Sequence, residues 1–173
     1  GVSNNWLIYL ADSRVDFSKQ DLVGPGKILM LELNTAPSAG NVLPAGTFNI
    51  LSPLDITSAA SLTPFTVVPG LVKKDGSVYG SWYLETDTQG GVFQPLYSAQ
   101  GGTVSVRKTG DTYTIDFDIK DDDYKISVKG SYTGVPSFYD GTAQTTSLST
   151  RAATASGKAL NIHKSARRQV FHK

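Results

Sequence analysis

Five acidic residues fall within eight positions, at Asp116, Asp118, Asp121, Asp122 and Asp123. Such a cluster could hold a cation or do paired-carboxylate acid–base chemistry. Calcium takes about six to eight oxygen ligands, and an EF-hand loop adds a fixed glycine and a closing glutamate. The spacing here has neither mark. Asp116 and Asp118 share a strand face about 6–7 Å apart by strand rise. That separation suits two carboxylates flanking a glycosidic bond. Every solvent-facing pair two residues apart has it too, and Glu32 and Glu85 are equally plausible acids. Lys120, Lys125 and Lys129 lie close by. The cluster reads as a solvated face and turn.

His163 and His172 are the only histidines, nine positions apart in a basic tail. With no cysteine and no HExxH pattern, they have no zinc-site spacing. No serine stands in a GxSxG elbow. Gly24-Pro25-Gly26 lacks the lysine and hydroxyl of a phosphate loop and reads as a turn. The expectation is no catalytic residue, no metal and no cofactor.

Aromatic side chains are the remaining raw material for a site. Tyr79, Trp82, Tyr83, Phe93 and Tyr97 could line a groove for sugar rings or an apolar ligand, with Trp6 a further member. They could equally fill a core. Trp82 shares a strand face with Leu84, while Tyr79 and Tyr83 lie on the more polar side. Single-stranded nucleic acid requires aromatics on a basic groove. These strands are not basic, so no nucleic acid is expected.

The elements that would carry these residues are strands. Gly101–Gly134 holds three runs of period-2 alternation. Val104 and Val106 share one face. Tyr113, Ile115, Phe117 and Ile119 share the next, then Tyr124, Ile126 and Val128. This is the pattern of antiparallel strands with one dry and one wet face. Pairing Val106 with Tyr113, and Ile119 with Tyr124, joins the apolar rows. It also sets Asp118 opposite Lys125. A slip of one residue would expose every apolar side chain.

Earlier in the chain, Trp6–Ala11 is apolar on both faces, as in a central strand covered on both sides. Lys27–Asn34 alternates Leu29, Leu31 and Leu33 against Ile28, Met30 and Glu32, with Glu32 expected at the wet end. A further strand includes Phe48, residues 51–64 read as a long loop, and Lys73–Gly76 reads as a hairpin turn. Ser77–Thr86 and the run around Val92–Tyr97 complete the set. A total of about eight to ten strands predicts an antiparallel β-sandwich or a lipocalin-like barrel.

The 173 residues suit one all-β domain over 1–140. Residues 141–173 form a Ser/Thr/Ala-rich segment and a basic tail. That tail could add a closing strand, remain a free tail, or hold a short helix from about Ser149 to Leu160. Residues 1–140 carry all 15 acids against 10 Lys and Arg, whereas 151–173 carry six Lys and Arg and no acid. No apolar run approaches the roughly 20 residues of a membrane helix. The start at Gly1, with Met30 the only methionine, reads as a chain whose targeting segment has been removed.

The order LPAGTF, then YGSWYL, then GGTVSVRKTGDTYTIDFDIKDDDYKISVKGSYTG resembles secreted or lipid-anchored β-domains of uncharacterised function from Bacteroidetes. The resemblance covers about residues 27–134. It departs at Asp121-Asp122-Asp123, where that group has Asp-Gly. It implies export to the periplasm or outer surface, with membrane contact only through a removed N-terminal lipid anchor, and it transfers no catalytic residue. The expected function is a non-enzymatic surface or periplasmic binding or adhesion module, for a glycan or a surface protein. The alternatives are a structural or assembly subunit that pairs strand edges, and a calycin-like binder of a small ligand.

Overall fold

The computed structural model describes residues 2–12, 14–15, 25–37, 42–86, 92–121, 125–140 and 158–165, with backbone alone at 92–95, 139–140 and 158–165. Thirteen strands are present among them. They are β1 (Asn4–Asp12), β2 (Gly26–Thr35), β3 (Gly46–Ile50), β4 (Thr66–Val67), β5 (Leu71–Val72), β6 (Val78–Tyr79), β7 (Trp82–Thr86), β8 (Val92–Ser98), β9 (Gly101–Thr109), β10 (Thr112–Lys120), β11 (Ser127–Gly134), β12 (Ser137–Asp140) and β13 (Lys158–Ser165). The count exceeds eight to ten because residues 66–79 break into three strands of two residues each. The long loop before them contains two short 3₁₀ turns, Pro53–Asp55 and Ala59–Ser61.

Eleven strands form one sheet, in the order β11-β10-β9-β3-β4-β2-β1-β13-β12, with β7 also on β2 and β8 on β7. The sheet curls into a half-barrel, and β5 and β6 form a small second sheet. It is mixed rather than purely antiparallel, since β3–β4 and β12–β13 run parallel. β13 pairs antiparallel with β1 along its whole length, so Lys158–Leu160 is strand and not helix. The helix expected over 149–157 lies outside the described residues.

β1 and β2 carry the inner wall. Their register sets Trp6 opposite Leu33, Ile8 opposite Leu31 and Leu10 opposite Leu29. These six are buried with Phe48, Val104, Val106, Tyr113, Ile115, Ile119 and Tyr132 in the main core. The outer face of the same strands is covered too. Ala11 and Ile28 bury there with Val15 and Leu84. Double burial explains why this stretch lacks the wet face of an ordinary antiparallel strand.

The meander forms, but its register differs from the expected one. Ile115 pairs Val106 and Phe117 pairs Val104, a shift of two residues. In the second hairpin Ile119 pairs Val128, not Tyr124, and Asp118 faces Lys129, not Lys125. Tyr124 lies outside the described residues. Shifts of two and four keep every side chain on its own face, so alternation forbids only odd slips. Turn geometry makes the choice. Thr109 and Thr112 pair across a two-residue loop in which Gly110 has φ +57°. A positive φ at the first loop position is what a type II′ hairpin requires.

Glu32 overturns its expected place at a wet end. It is 4% exposed. Its Oε1 accepts from Asn5 Nδ2 at 3.0 Å, and its Oε2 from the Gly80 N–H at 3.1 Å. Its own N–H donates to Ser81 Oγ at 2.9 Å, and its carbonyl accepts from the Val68 N–H at 2.8 Å. Glu32 sits where β2 exchanges one partner for another. Gly26–Met30 pair with β7, whereas Leu33 and Asn34 pair with β4. A carboxylate is acceptor-only, and the fork supplies it with donors.

Glu32→Ala would leave the buried Gly80 N–H unpaired and take from Asn5 the nearer of its two acceptors. We expect a stability loss of about 2–4 kcal/mol in urea unfolding, against about 1 kcal/mol for Glu32→Gln, which keeps one acceptor. Equal losses in the two variants would show that packing volume, not acceptor capacity, holds the fork.

Candidate ligand cavity

A cavity of about 380 Å³ opens inside the half-barrel, between the β1–β2–β7 wall and the β10–β11 hairpin. Leu10 and Leu29 form one side, and Phe117, Val128 and Tyr132 the other. Five consecutive residues, Val128–Tyr132, line it. A strand that only turned one face to a cavity would contribute alternate residues. Consecutive ones mean that the cavity runs along the strand's edge. β11 pairs only with β10 among the described residues.

Gly130 is opposite Phe117 in the β10–β11 ladder. A Cβ on Gly130 would lie 2.4 Å from Phe117 Cζ. The bare glycine therefore leaves room for the Phe117 ring to lie across β11. Such an aromatic cover over a strand glycine also shields backbone from water.

One end of the cavity is polar. Asp12 and Lys27 line it there. The Asp12 carboxylate accepts from the Arg14 N–H at 3.0 Å, from Arg14 Nη2 at 2.9 Å and from the Lys27 N–H at 3.0 Å. Burial pushes its pKa up, but these donors outweigh burial and leave it below the ordinary carboxylate value. Lys27 Nζ stands 3.9 Å from Glu85 Oε1, and that same oxygen accepts from Tyr83 OH at 2.9 Å.

The five aromatic residues singled out in the sequence do not form one platform. Tyr83 lines the cavity, and its ring stacks on Tyr97 at 6.1 Å with 25° between planes. Trp82 points to the opposite face of β7 and is 5% exposed, with Nε1 donating to the Tyr79 carbonyl at 2.8 Å. Tyr79 is half-buried in the second sheet, with Lys73 Nζ 5.5 Å above its ring. The Phe93 side chain lies outside the described residues. Trp6 is in the core, edge-on to Phe138. Sequence reasoning missed Leu10, Leu29, Phe117, Val128 and Tyr132 as cavity residues. Alternation places Phe117 and Val128 on an apolar face, but nothing local distinguishes a filled interior from a hollow one.

The acids show no catalytic arrangement among the described residues. Asp116 pairs with Arg107, and Asp118 with Lys129 at 2.9 Å and with Ser127 Oγ at 3.0 Å. Hydrogen bonding from Ser131, then Arg107, holds Asp116 below the ordinary value, and Lys129 followed by Ser127 does so for Asp118. Glu32 and Glu85 project to opposite sheet faces. No group of three potential metal ligands occurs among the described residues. Asp122, Asp123, His172 and the His163 side chain lie outside them. Comparison with family models, with curated proteins and with solved structures gave no match.

Burial raises the pKa of Tyr83 well above its ordinary 10.0, helped by the hydrogen bond to Glu85. Burial likewise raises Tyr79, Tyr113 and Tyr132. A phenol whose pKa is raised on folding contributes stability that is complete below the unfolded pKa. That contribution is lost as pH climbs through the folded pKa. Tyrosinate absorbance should therefore lag behind that of an unfolded chain above about pH 10. In Tyr83→Phe, stability should fall less steeply with pH over that range. An unchanged slope would remove Tyr83 from the alkaline transition.

Proposed function

We propose that this protein is a non-enzymatic binding module that holds a small, largely apolar ligand in the half-barrel cavity. The observation that carries the reading is the cavity itself, about 380 Å³ walled by Leu10, Leu29, Phe117, Val128 and Tyr132. Small-molecule sites have roughly this size and this predominance of apolar lining, with a few polar groups to orient the ligand. Asp12 and Lys27 are such groups here. The position of Trp82, packed against its own sheet, weighs against an open aromatic platform for glycans. An extracytoplasmic location, periplasmic or at the outer surface, is part of the proposal and rests on the sequence resemblance alone.

The test is binding of N-phenyl-1-naphthylamine, whose emission rises in an apolar site. The wild-type chain should bind it. Val128→Trp, at a half-buried position of the edge strand, should fill the cavity and weaken binding about tenfold or more, with circular dichroism confirming the fold. Wild-type protein that leaves the probe dark, or a Val128→Trp variant that binds it equally well, would refute the reading.

A further inference from the structure

The exposed apolar side chains gather at one end of the half-barrel. β1 starts there at Asn4, opposite Thr35, where β2 finishes. β10 starts there too, with Tyr113 opposite Gly134, where β11 finishes. Asp12, Lys27, Glu85 and Lys120 lie at the opposite end of their strands. Eight large hydrophobic side chains are exposed among the described residues, and five of them belong to the Asn4 end. They are Val2, Val42, Phe65, Val135 and Phe138, each between 41% and 51% exposed. The Phe138 ring meets Trp6 at 6.1 Å and Tyr113 at 5.7 Å. Tyr113 OH donates to the Leu43 carbonyl at 3.3 Å, which holds the segment carrying Val42 there. Val135 directly follows Gly134, and Val2 precedes Ser3, whose Oγ donates to the Leu62 carbonyl at 2.7 Å. The Phe65 N–H donates to the Asn34 carbonyl at 2.8 Å. Phe65 keeps that place at φ +63°, in the left-handed region that a bulky residue rarely adopts. Strain of that kind concentrates at binding and switch regions.

Charge identifies the partner. β13 finishes at the same end, with Ser165 opposite Asn5. Lys164 is the register partner of Asp140. Beyond Ser165, residues 166–173 carry Arg167, Arg168 and Lys173 and no acid. The β9–β10 turn adds one charge of each sign, Lys108 and Asp111. Residues 1–140 as a whole hold 15 acids against 10 Lys and Arg. An anionic surface therefore repels the body of the molecule and attracts the end from which the basic segment leaves. Apolar side chains beside basic residues are the combination that holds proteins at anionic bilayers. The apolar groups bury in the head-group region, and the basic ones are drawn to the negative surface potential.

We propose that the Asn4 end docks on an anionic lipid surface. Val2, Val42, Phe65, Val135 and Phe138 enter the head-group region, and Arg167, Arg168 and Lys173 meet the lipid phosphates. The cavity is lined from the Asp12 end and has no part in this contact, so the inference is independent of the ligand reading.

Co-sedimentation of the full chain with lipid vesicles tests this. Vesicles of phosphatidylglycerol and phosphatidylcholine in equal parts should carry the chain down. Pure phosphatidylcholine should bind it about tenfold more weakly or worse. Arg167→Gln combined with Arg168→Gln should weaken binding to the mixed vesicles about 25-fold, or about fivefold per charge. Val42→Ser combined with Val135→Ser, both at exposed positions, should weaken it about fivefold or more, with circular dichroism confirming the fold. No sedimentation with the mixed vesicles, equal binding to the two vesicle types, or either double variant binding as the wild type does would overturn the proposal. A concentration-dependent dimer that the valine variant abolishes, without vesicle binding, would assign this end to a second copy and overturn the lipid reading.

Discussion

The architecture depends on a single fork. β2 cannot run the full length of two neighbours on one edge, so it pairs with β7 over its first half and β4 near its end. At the changeover, Glu32 is held by Asn5, Ser81, Val68 and Gly80. A buried carboxylate without donors would cost several kcal/mol. Here the carboxylate takes donors from Asn5 of β1 and from Gly80 just before β7, while the Glu32 backbone bonds Ser81 and Val68, so this one residue ties three elements together. The fork splits the sheet into two branches, and the branch through β4 and β3 carries the meander round to form the opposite wall.

The cavity follows from that branching. β7 and β8 extend one wall, while β9, β10 and β11 swing round to the other. β11 ends the series without a second strand on its edge among the described residues. The apolar side chains on both walls line the cavity. Gly130 leaves room for Phe117 to lie across the edge strand. Asp116 and Asp118, which first look like the place for chemistry, are committed to outer-face ion pairs with Arg107 and Lys129.

Much of the fold is legible in the chain. The period-2 runs, the Lys73–Gly76 turn and the doubly apolar Trp6–Ala11 stretch each correspond to an element in the structure. The meander register was only half legible. Alternation at Tyr113, Ile115, Phe117 and Ile119 fixes their face but permits any even shift, and the Gly110 loop makes the choice. Glu32 was misplaced for a related reason. A lone acid at the end of an apolar run looks like a boundary unless its donors are visible, and those of Asn5 and Gly80 are 27 and 48 residues away. Tyr83 could be identified as a candidate because it is aromatic on a polar face. Leu10 and Phe117 could not, because a cavity is a property of two walls and no single strand encodes the distance between them.

By itself, then, the sequence determined an all-β chain, which side chains share a face on each main strand, and the lack of any recognisable catalytic or metal motif. These follow from steric alternation along an extended backbone and from residue chemistry, both of which are local. Only the tertiary structure decided the mixed strand order, the fork at Glu32 and the grouping of Asp12, Lys27 and Tyr83 in one cavity. Each of those depends on which distant segments pair, and that is set by burial and hydrogen-bond satisfaction over the whole sheet.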